Sequence, residues 1–299
     1  MAGIPTFATP STFLGLLRLQ ADATIHIAGI PLDIGTTNRS GARFGPPAIR
    51  AASRMLVDGD HPHWWIDPTA LPVADIGDFD IALGDIENSL ALIQEQAAAY
   101  GHLIALGGEH TISLPLLRAL AEGQGAPLAL VHFDAHVDTW SDSFGQVYGH
   151  GSVFFHAIEE GLIDPTRTVQ IGIRSPVHKS VFDWTLEKGV TIITAQDVHE
   201  HGPQAVAQRV TDVIGDAPAY LSFDIDCLDP AFAPGTGTPE IGGLASWQAQ
   251  AILRRLDTLA FKGMDVVEVA PAYDTAEITA LAAATMVWEY LALVGRRLG

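Results

Sequence analysis

The 299-residue chain has one cysteine, Cys227, so it cannot build an internal disulfide framework, and it suits a reducing compartment, read here as the cytoplasm. Positive charge is also scarce. Sixteen Lys and Arg stand against 35 Asp and Glu, a formal net charge of −19, with no basic cluster to meet phosphates. That balance argues against nucleic acid as a partner. It suits solubility and is compatible with a cationic ligand. Long apolar runs are missing: the longest, Ile278 to Trp288, is too short to cross a bilayer and reads as a buried helix. No basic residue precedes Arg18, so no signal peptide is expected. There is no Pro/Ser-rich linker and no internal repeat. One domain over 1–299 is expected, with 1–22 as an N-terminal extension.

What is present is a regular alternation. Candidate strands lie near Thr24–Gly29, Leu71–Ile76, His102–Leu106, Pro127–Phe133, Thr168–Ile173, Val190–Thr194, Ala219–Phe223 and Met264–Val269. Candidate helices lie near Pro46–Leu56, Ile86–Tyr100, Leu114–Glu122, Ser152–Gly161, Ser180–Lys188, Gln204–Ile214, Ser246–Leu259 and Glu277–Val294. Such alternation predicts an α/β protein: one three-layer α/β/α domain with a mostly parallel sheet of about eight strands. Ligands of such sheets bind outside the carboxyl ends of the strands.

Two acidic motifs fall at that end. Asp134-x-His136-x-Asp138 follows the apolar run Leu128–Val131, and Asp224-x-Asp226 follows Tyr220–Phe223. On a strand, residues i and i+2 point the same way, so each motif aims its carboxylates at one spot. Carboxylates gathered there repel one another unless a cation sits among them. Four Asp plus His from several strand ends is the make-up of a two-metal site. Either motif alone has a plainer reading, as a helix cap or as turn chemistry before Asp229-Pro230.

Other residues join by position. Gly107-Gly108-Glu109-His110 follows a strand and opens a helix, which brings His110 to the same edge. Tyr148-Gly149-His150-Gly151 puts His150 on a glycine-flanked loop, as an acid/base group or a substrate contact. Glu268 is a carboxylate inside an apolar run and has to meet a cation or a hydrogen-bond network. Pro234 to Pro239 is a rigid loop, either a pocket wall or a direct contact. Cys227 reads as small core filler. His61, His63, His102, His178, His199 and His201 show no ligand spacing and are read as surface or helix-end residues.

Together these motifs resemble the ureohydrolase family: arginases, agmatinases, guanidinobutyrases and relatives. The likeness runs from Ile30-Pro31-Leu32-Asp33 and Gly41–Pro46 to the C-terminal helix. It is nearest the agmatinase branch in Val131–His136, Ser222–Pro230 and Val267–Asp274. Glu109 departs from the pattern, which commonly has Asp before the ligand His. The resemblance implies two Mn²⁺ ions, one on His110, Asp134, Asp138 and Asp224, the other on His136, Asp134, Asp224 and Asp226. It implies that Glu268 pairs with a small cationic guanidino substrate, that Asp138 passes a proton to the leaving amine, and that His150 shuttles protons or touches substrate. The implied products are urea and an amine, with agmatine giving putrescine. The implied assembly is a homo-oligomer, trimer or hexamer.

The substrate tail stays open at this point. An amine tail wants carboxylates, whereas a guanidino acid such as 4-guanidinobutyrate or 3-guanidinopropionate wants Arg or Lys. The loops Ser141–Tyr148 and Ser175–Asp183 hold Asp142, Asp183 and Lys179, and Arg39 lies in another candidate loop. Further alternatives are a non-catalytic metal-dependent subunit on the same fold and a deacetylase-like hydrolase.

Overall fold

A computed structural model of the chain describes residues 11–16, 20 and 22–297. Strands and helices alternate from β1 to α8: β1 (Ile25–Ile30), α1 (Gly45–Ser53), β2 (Val73–Asp78), α2 (Ile86–Ala97), β3 (Leu103–Gly107), α3 (Ser113–Gln124), β4 (Leu128–Phe133), α4 (Val153–Glu159), β5 (Ile163–Ile173), α5 (Lys179–Glu187), β6 (Thr191–Thr194), α6 (Ala195–Ile214), β7 (Pro218–Asp224), α7 (Ser246–Leu253), β8 (Ala260–Val267) and α8 (Ile278–Gly295). The eight strands form one sheet in the order β2-β1-β3-β8-β7-β4-β5-β6. Every pairing is parallel.

The strand period of two divides the core between two layers. Val131, Phe133, Leu221, Phe223, Met264 and Val266 face α1, α6, α7 and α8, whereas Leu128, Leu130, Tyr220 and Val267 face α2, α3 and α4. The expected α/β/α sandwich with a mostly parallel, eight-stranded sheet is the observed fold. β4 is buried along its whole length, which is why its sequence reads as a continuous apolar run rather than an alternation.

Four neighbouring strands occupy the sheet centre: β3, β8, β7 and β4. Their carboxyl ends lead straight into Glu109-His110, Glu268, Asp224–Asp226 and Asp134–Asp138. Strand order thus gathers segments that are far apart in sequence.

Several boundaries differ from the sequence reading. β8 ends at Val267 rather than Val269, because Glu268 turns to φ 65°. α6 starts at Ala195, nine residues before the expected Gln204. A capping box between Thr194 and Asp197 opens it, and Gly202 at φ 76° followed by Pro203 interrupts it, so only its second half carries an unbroken helical pattern. His61 is not at the surface. It is fully buried, with its ring centroid 4.8 Å from Trp64 and 4.4 Å from Trp288, and its Nε2 2.9 Å from Glu289 Oε2. Trp288 and Glu289 lie far away in the sequence, so no local spacing marks them.

The expected extension over 1–22 lies partly outside the described residues. Within it, Phe13 is buried and donates its backbone N–H to Asp75 Oδ2 at 2.6 Å. α8 has a mean hydropathy of 1.5 over 18 residues, long and apolar enough by composition to cross a membrane, yet 78% of that window is buried inside this fold. It packs as a core helix.

Candidate metal centre

The centre is built on His110, which follows β3. Its Nδ1 lies 3.0 Å from Asp138 Oδ2, 3.1 Å from Asp224 Oδ2 and 3.2 Å from Asp134 Oδ2. Nδ1 is buried, and it makes no hydrogen bond with any of them. Four donors that converge without bonding to one another fit a shared cation. At a metal–ligand distance near 2.1 Å, adjacent donors of an octahedron stand about 3 Å apart. Asp134 faces both ways: its Oδ1 lies 3.2 Å from His136 Nδ1. Asp226 Oδ2 stands 3.2 Å from that same nitrogen. The structure therefore brings His110, Asp134, His136, Asp138, Asp224 and Asp226 together.

Backbone donors fix the carboxylates. Asp134 Oδ1 accepts from the His136 N–H at 2.6 Å, Asp226 Oδ1 from Ala135 at 3.1 Å, and Asp224 Oδ1 from Asp226 at 2.9 Å. His110 is oriented from behind, with Nε2 2.8 Å from Ser222 Oγ, whose hydroxyl donates to Asp265 at 2.7 Å. Such partners of a ligand imidazole set its tautomer and direction. Asp138 and Glu268 hold φ of 49° and 65°, a conformation non-glycine residues adopt sparingly and that clusters at functional sites.

The cluster's electrostatics follow from burial. Burial and the neighbouring Asp226 and Asp134 push the Asp224 carboxyl well above its ordinary range. Burial acts the same way on Asp134, but His132, His110 and His136 outweigh it and hold Asp134 well below that range. Burial opposes charge on His110, yet Asp134, Asp138 and Asp224 raise its pKa well above 6.5. Protons on these groups offset the carboxylate charge, and a divalent cation would displace them.

Glu268 and His150 stand beside the cluster. Glu268 Oε1 accepts from the His110 N–H at 2.9 Å and lies 3.1 Å from His150 Nδ1. Its Oε2 is buried and has no partner among the described residues. A Cβ at position 237 would lie 3.5 Å from that oxygen, so Gly237 keeps the space before it clear. Burial lowers the His150 pKa, but Glu268, with Asp138 and Glu109, raises it to about 9. Thr37 serves both forms of the ring: its N–H donates to Nε2 at 3.2 Å when that atom is bare, and its hydroxyl, at 2.7 Å, can accept when it is protonated.

A cavity of about 620 Å³ opens over these groups, lined by His136, Asp138, His150, Asp224 and Thr238 at its floor and by residues including Trp140, Asp142, Phe144 and His178 elsewhere. Among the described residues, no Lys or Arg lines it. Of the Pro234–Pro239 loop, Thr238 both lines the cavity and reaches Asp226 Oδ2 at 3.3 Å. Cys227 is buried in the apolar core.

Three residues with clear roles here escaped sequence reasoning. His132 Nε2 lies 2.7 Å from Asp134 Oδ2; its place two residues before Asp134 on one strand was the available signal. Arg174 has carbonyls as partners, donating to those of Gly172, Asp226, Cys227, Leu228 and Glu240, and so braces the loop that carries Asp226. Thr37 lies in an irregular loop with no local signal.

Fold and side chains define a divalent-metal hydrolase of the α/β class. The arginase family profile matches residues 23–292, and the chain belongs to that family. An agmatinase of Cronobacter sakazakii is 46% identical over 97% of this chain and 95% of its own length. One from Serratia proteamaculans is 46% identical over 94% and 90%. A crystal structure of a hypothetical agmatinase from Burkholderia thailandensis superposes with a TM-score of 0.92 at 44% identity, covering 98% of this chain and 94% of that one. Proclavaminate amidino hydrolase from Streptomyces clavuligerus gives a TM-score of 0.93 at 38% identity, over 98% and 99%. The protein is a hydrolase acting on guanidino C–N bonds.

Proposed function

We propose that this ureohydrolase holds two Mn²⁺ ions and hydrolyses agmatine to putrescine and urea. The observation that carries the reading is His110 Nδ1: buried, unbonded, and ringed by oxygens of Asp134, Asp138 and Asp224 at 3.0–3.2 Å. A second set, His136, Asp134, Asp224 and Asp226, shares two of those carboxylates. Four aspartates and two divalent cations are formally neutral together, and oxygen and imidazole donors without thiolate suit Mn²⁺. When bound, such a pair of cations supplies Lewis acidity and a strong oxygen nucleophile at neutral pH.

The chain's own residues do the rest. A guanidinium carbon is a poor electrophile, because resonance spreads its charge over three nitrogens, so orientation matters. Glu268 offers its unpartnered Oε2 to the guanidinium while His110 N–H and His150 Nδ1 hold Oε1 still. Asp138, which lines the cavity, would carry the proton released by the attacking water to the leaving amine, and His150 would exchange protons with solvent through the cavity.

Asp142 lines the cavity, whereas Lys179 pairs with Asp183 at 2.6 Å and Arg39 stacks on Tyr273 at 5.1 Å, neither lining it. A primary ammonium is matched there; a carboxylate tail finds no fixed guanidinium or lysine. We extend the reading to one catalytic domain over 1–299. It would be a cytoplasmic homo-oligomer, trimer or hexamer as the family implies, with no nucleic-acid or membrane partner. The net charge of −19 and the single buried cysteine support it.

The test is a urea-release screen of the manganese-loaded protein across agmatine, arginine, 4-guanidinobutyrate, 3-guanidinopropionate and guanidine. Agmatine is expected to give the highest kcat/KM. A higher value for 4-guanidinobutyrate overturns the tail assignment, and no urea from any of them overturns the whole reading.

A further inference from the structure

Glu109, the residue that departs from the family pattern, is fully buried beside the centre. Its carboxylate turns to the loop after β1. Oε1 accepts from the Gly35 N–H at 2.7 Å and Oε2 from the Thr36 hydroxyl at 3.1 Å. The fit is close, since a Cβ at Gly35 would stand 3.0 Å from Oε1. The next residue, Thr37, meets His150 Nε2 through both its N–H and its hydroxyl. Gly35 O in turn accepts from the His150 N–H at 3.4 Å. Glu109 thus pins Gly35 and Thr36, and the same three-residue loop engages His150 through Gly35 and Thr37.

In the neutral ring the Thr37 N–H, which only donates, makes Nε2 the acceptor and leaves the proton on Nδ1; in the charged ring Nε2–H donates to the Thr37 hydroxyl instead, and in both forms Nδ1–H faces Glu268 Oε1 at 3.1 Å. An aspartate at 109 would be one methylene shorter and could not reach Gly35 and Thr36 from the same backbone position.

We propose that Glu109 is a positioning residue, clamping the Gly35–Thr37 loop so that Thr37 holds the His150 ring in register with Glu268. The proposal rests on the role of His150 given above and adds the device that aims it. Glu109 touches neither the cations' donor atoms nor the cavity. Its effect is therefore on kcat, through His150, and not on metal content.

The experiment uses the manganese-loaded full chain with agmatine, measuring kcat, KM and bound manganese for Glu109→Asp, Glu109→Gln, Thr36→Val, His150→Asn and the double variants with His150→Asn. Glu109→Asp should lower kcat by about tenfold with KM and manganese content unchanged. Glu109→Gln, equal in length, should recover most of the loss. In the His150→Asn background neither Glu109→Asp nor Thr36→Val should cost anything further. Losses that multiply with that of His150→Asn, or a fall in bound manganese, overturn the proposal while leaving the reaction itself intact. Wild-type turnover in His150→Asn alone overturns the role of His150 and this proposal with it. Should Glu109→Asp not fold, the Thr36→Val pair decides by the same criterion.

Discussion

His150 Nδ1 lies 3.1 Å from Glu268 Oε1, and the backbone N–H of His110 shares that oxygen at 2.9 Å. One oxygen is thereby fully engaged, and the other, Oε2, is left buried without a partner. An anionic oxygen in that state awaits a donor from a ligand. Glu268→Gln keeps the acceptor facing His150 and can place an N–H₂ where the guanidinium would bind. Bound manganese should stay at the wild-type level while kcat/KM for agmatine falls by about a hundredfold or more. A variant that turns over at the wild-type rate contradicts the anchor role.

Asp226 separates metal binding from substrate binding. Its Oδ2 faces His136 Nδ1 at 3.2 Å. Asp226→Ala removes one donor and leaves Asp134 Oδ1 as the carboxylate oxygen facing His136 Nδ1. Manganese content, read by elemental analysis after dialysis, should drop by about half, with urea release lost. Full metal loading with near-normal turnover would refute the assignment of a second cation.

Much of this was legible in the sequence because it obeys local rules. The period of two put Asp134, His136 and Asp138 on one side, and the apolar runs before Asp134 and Asp224 marked buried parallel strands. What was not legible depends on strand order. Nothing near Glu268 says that β8 lies between β3 and β7, yet that placement sets its carboxylate against His110 and His150. The same limit hid Thr37 and Arg174, whose partners lie about 50 to 110 residues away in the chain, and it left His61 misread as exposed. Long-range packing also ended β8 one residue before Glu268, where the apolar pattern runs on to Val269.

Asp142 tests the tail. It is exposed on the loop that lines the cavity, and its Oδ1 caps the Gly145 N–H at 2.8 Å. An ion pair at such a wet site contributes about 0.2–1 kcal/mol. Asp142→Asn should therefore raise KM for agmatine about 1.4- to fivefold with kcat nearly constant, and the rise should shrink at high salt. If KM is unmoved, or if 4-guanidinobutyrate does not gain relative to agmatine, the ammonium sits elsewhere.

Glu289 offers a stability test away from the chemistry. It is fully buried on α8, accepts from Arg254 Nε at 2.8 Å, and lies 2.9 Å from His61 Nε2. Burial raises its pKa, but the hydrogen bonds and charge of Arg254 and His61 outweigh that and lower it. A depressed folded-state pKa means that the unfolded chain binds the proton more tightly. The contribution to stability is therefore complete above the ordinary carboxylate value, about 4.3, and is lost as pH falls toward the folded value. Glu289→Ala leaves Arg254 and His61 without their acceptor. Breaking a buried pair costs about 3–5 kcal/mol, with the lower end expected because the Arg254 side chain is 28% exposed. Denaturant unfolding at pH 7 should show that loss with kcat at 25 °C unchanged. Repeated toward pH 3.5, the gap between wild type and variant should narrow. A gap that is constant or widens in acid would mean that Glu289 is not held ionised by Arg254 and His61, and that the network stabilises the fold through shape alone.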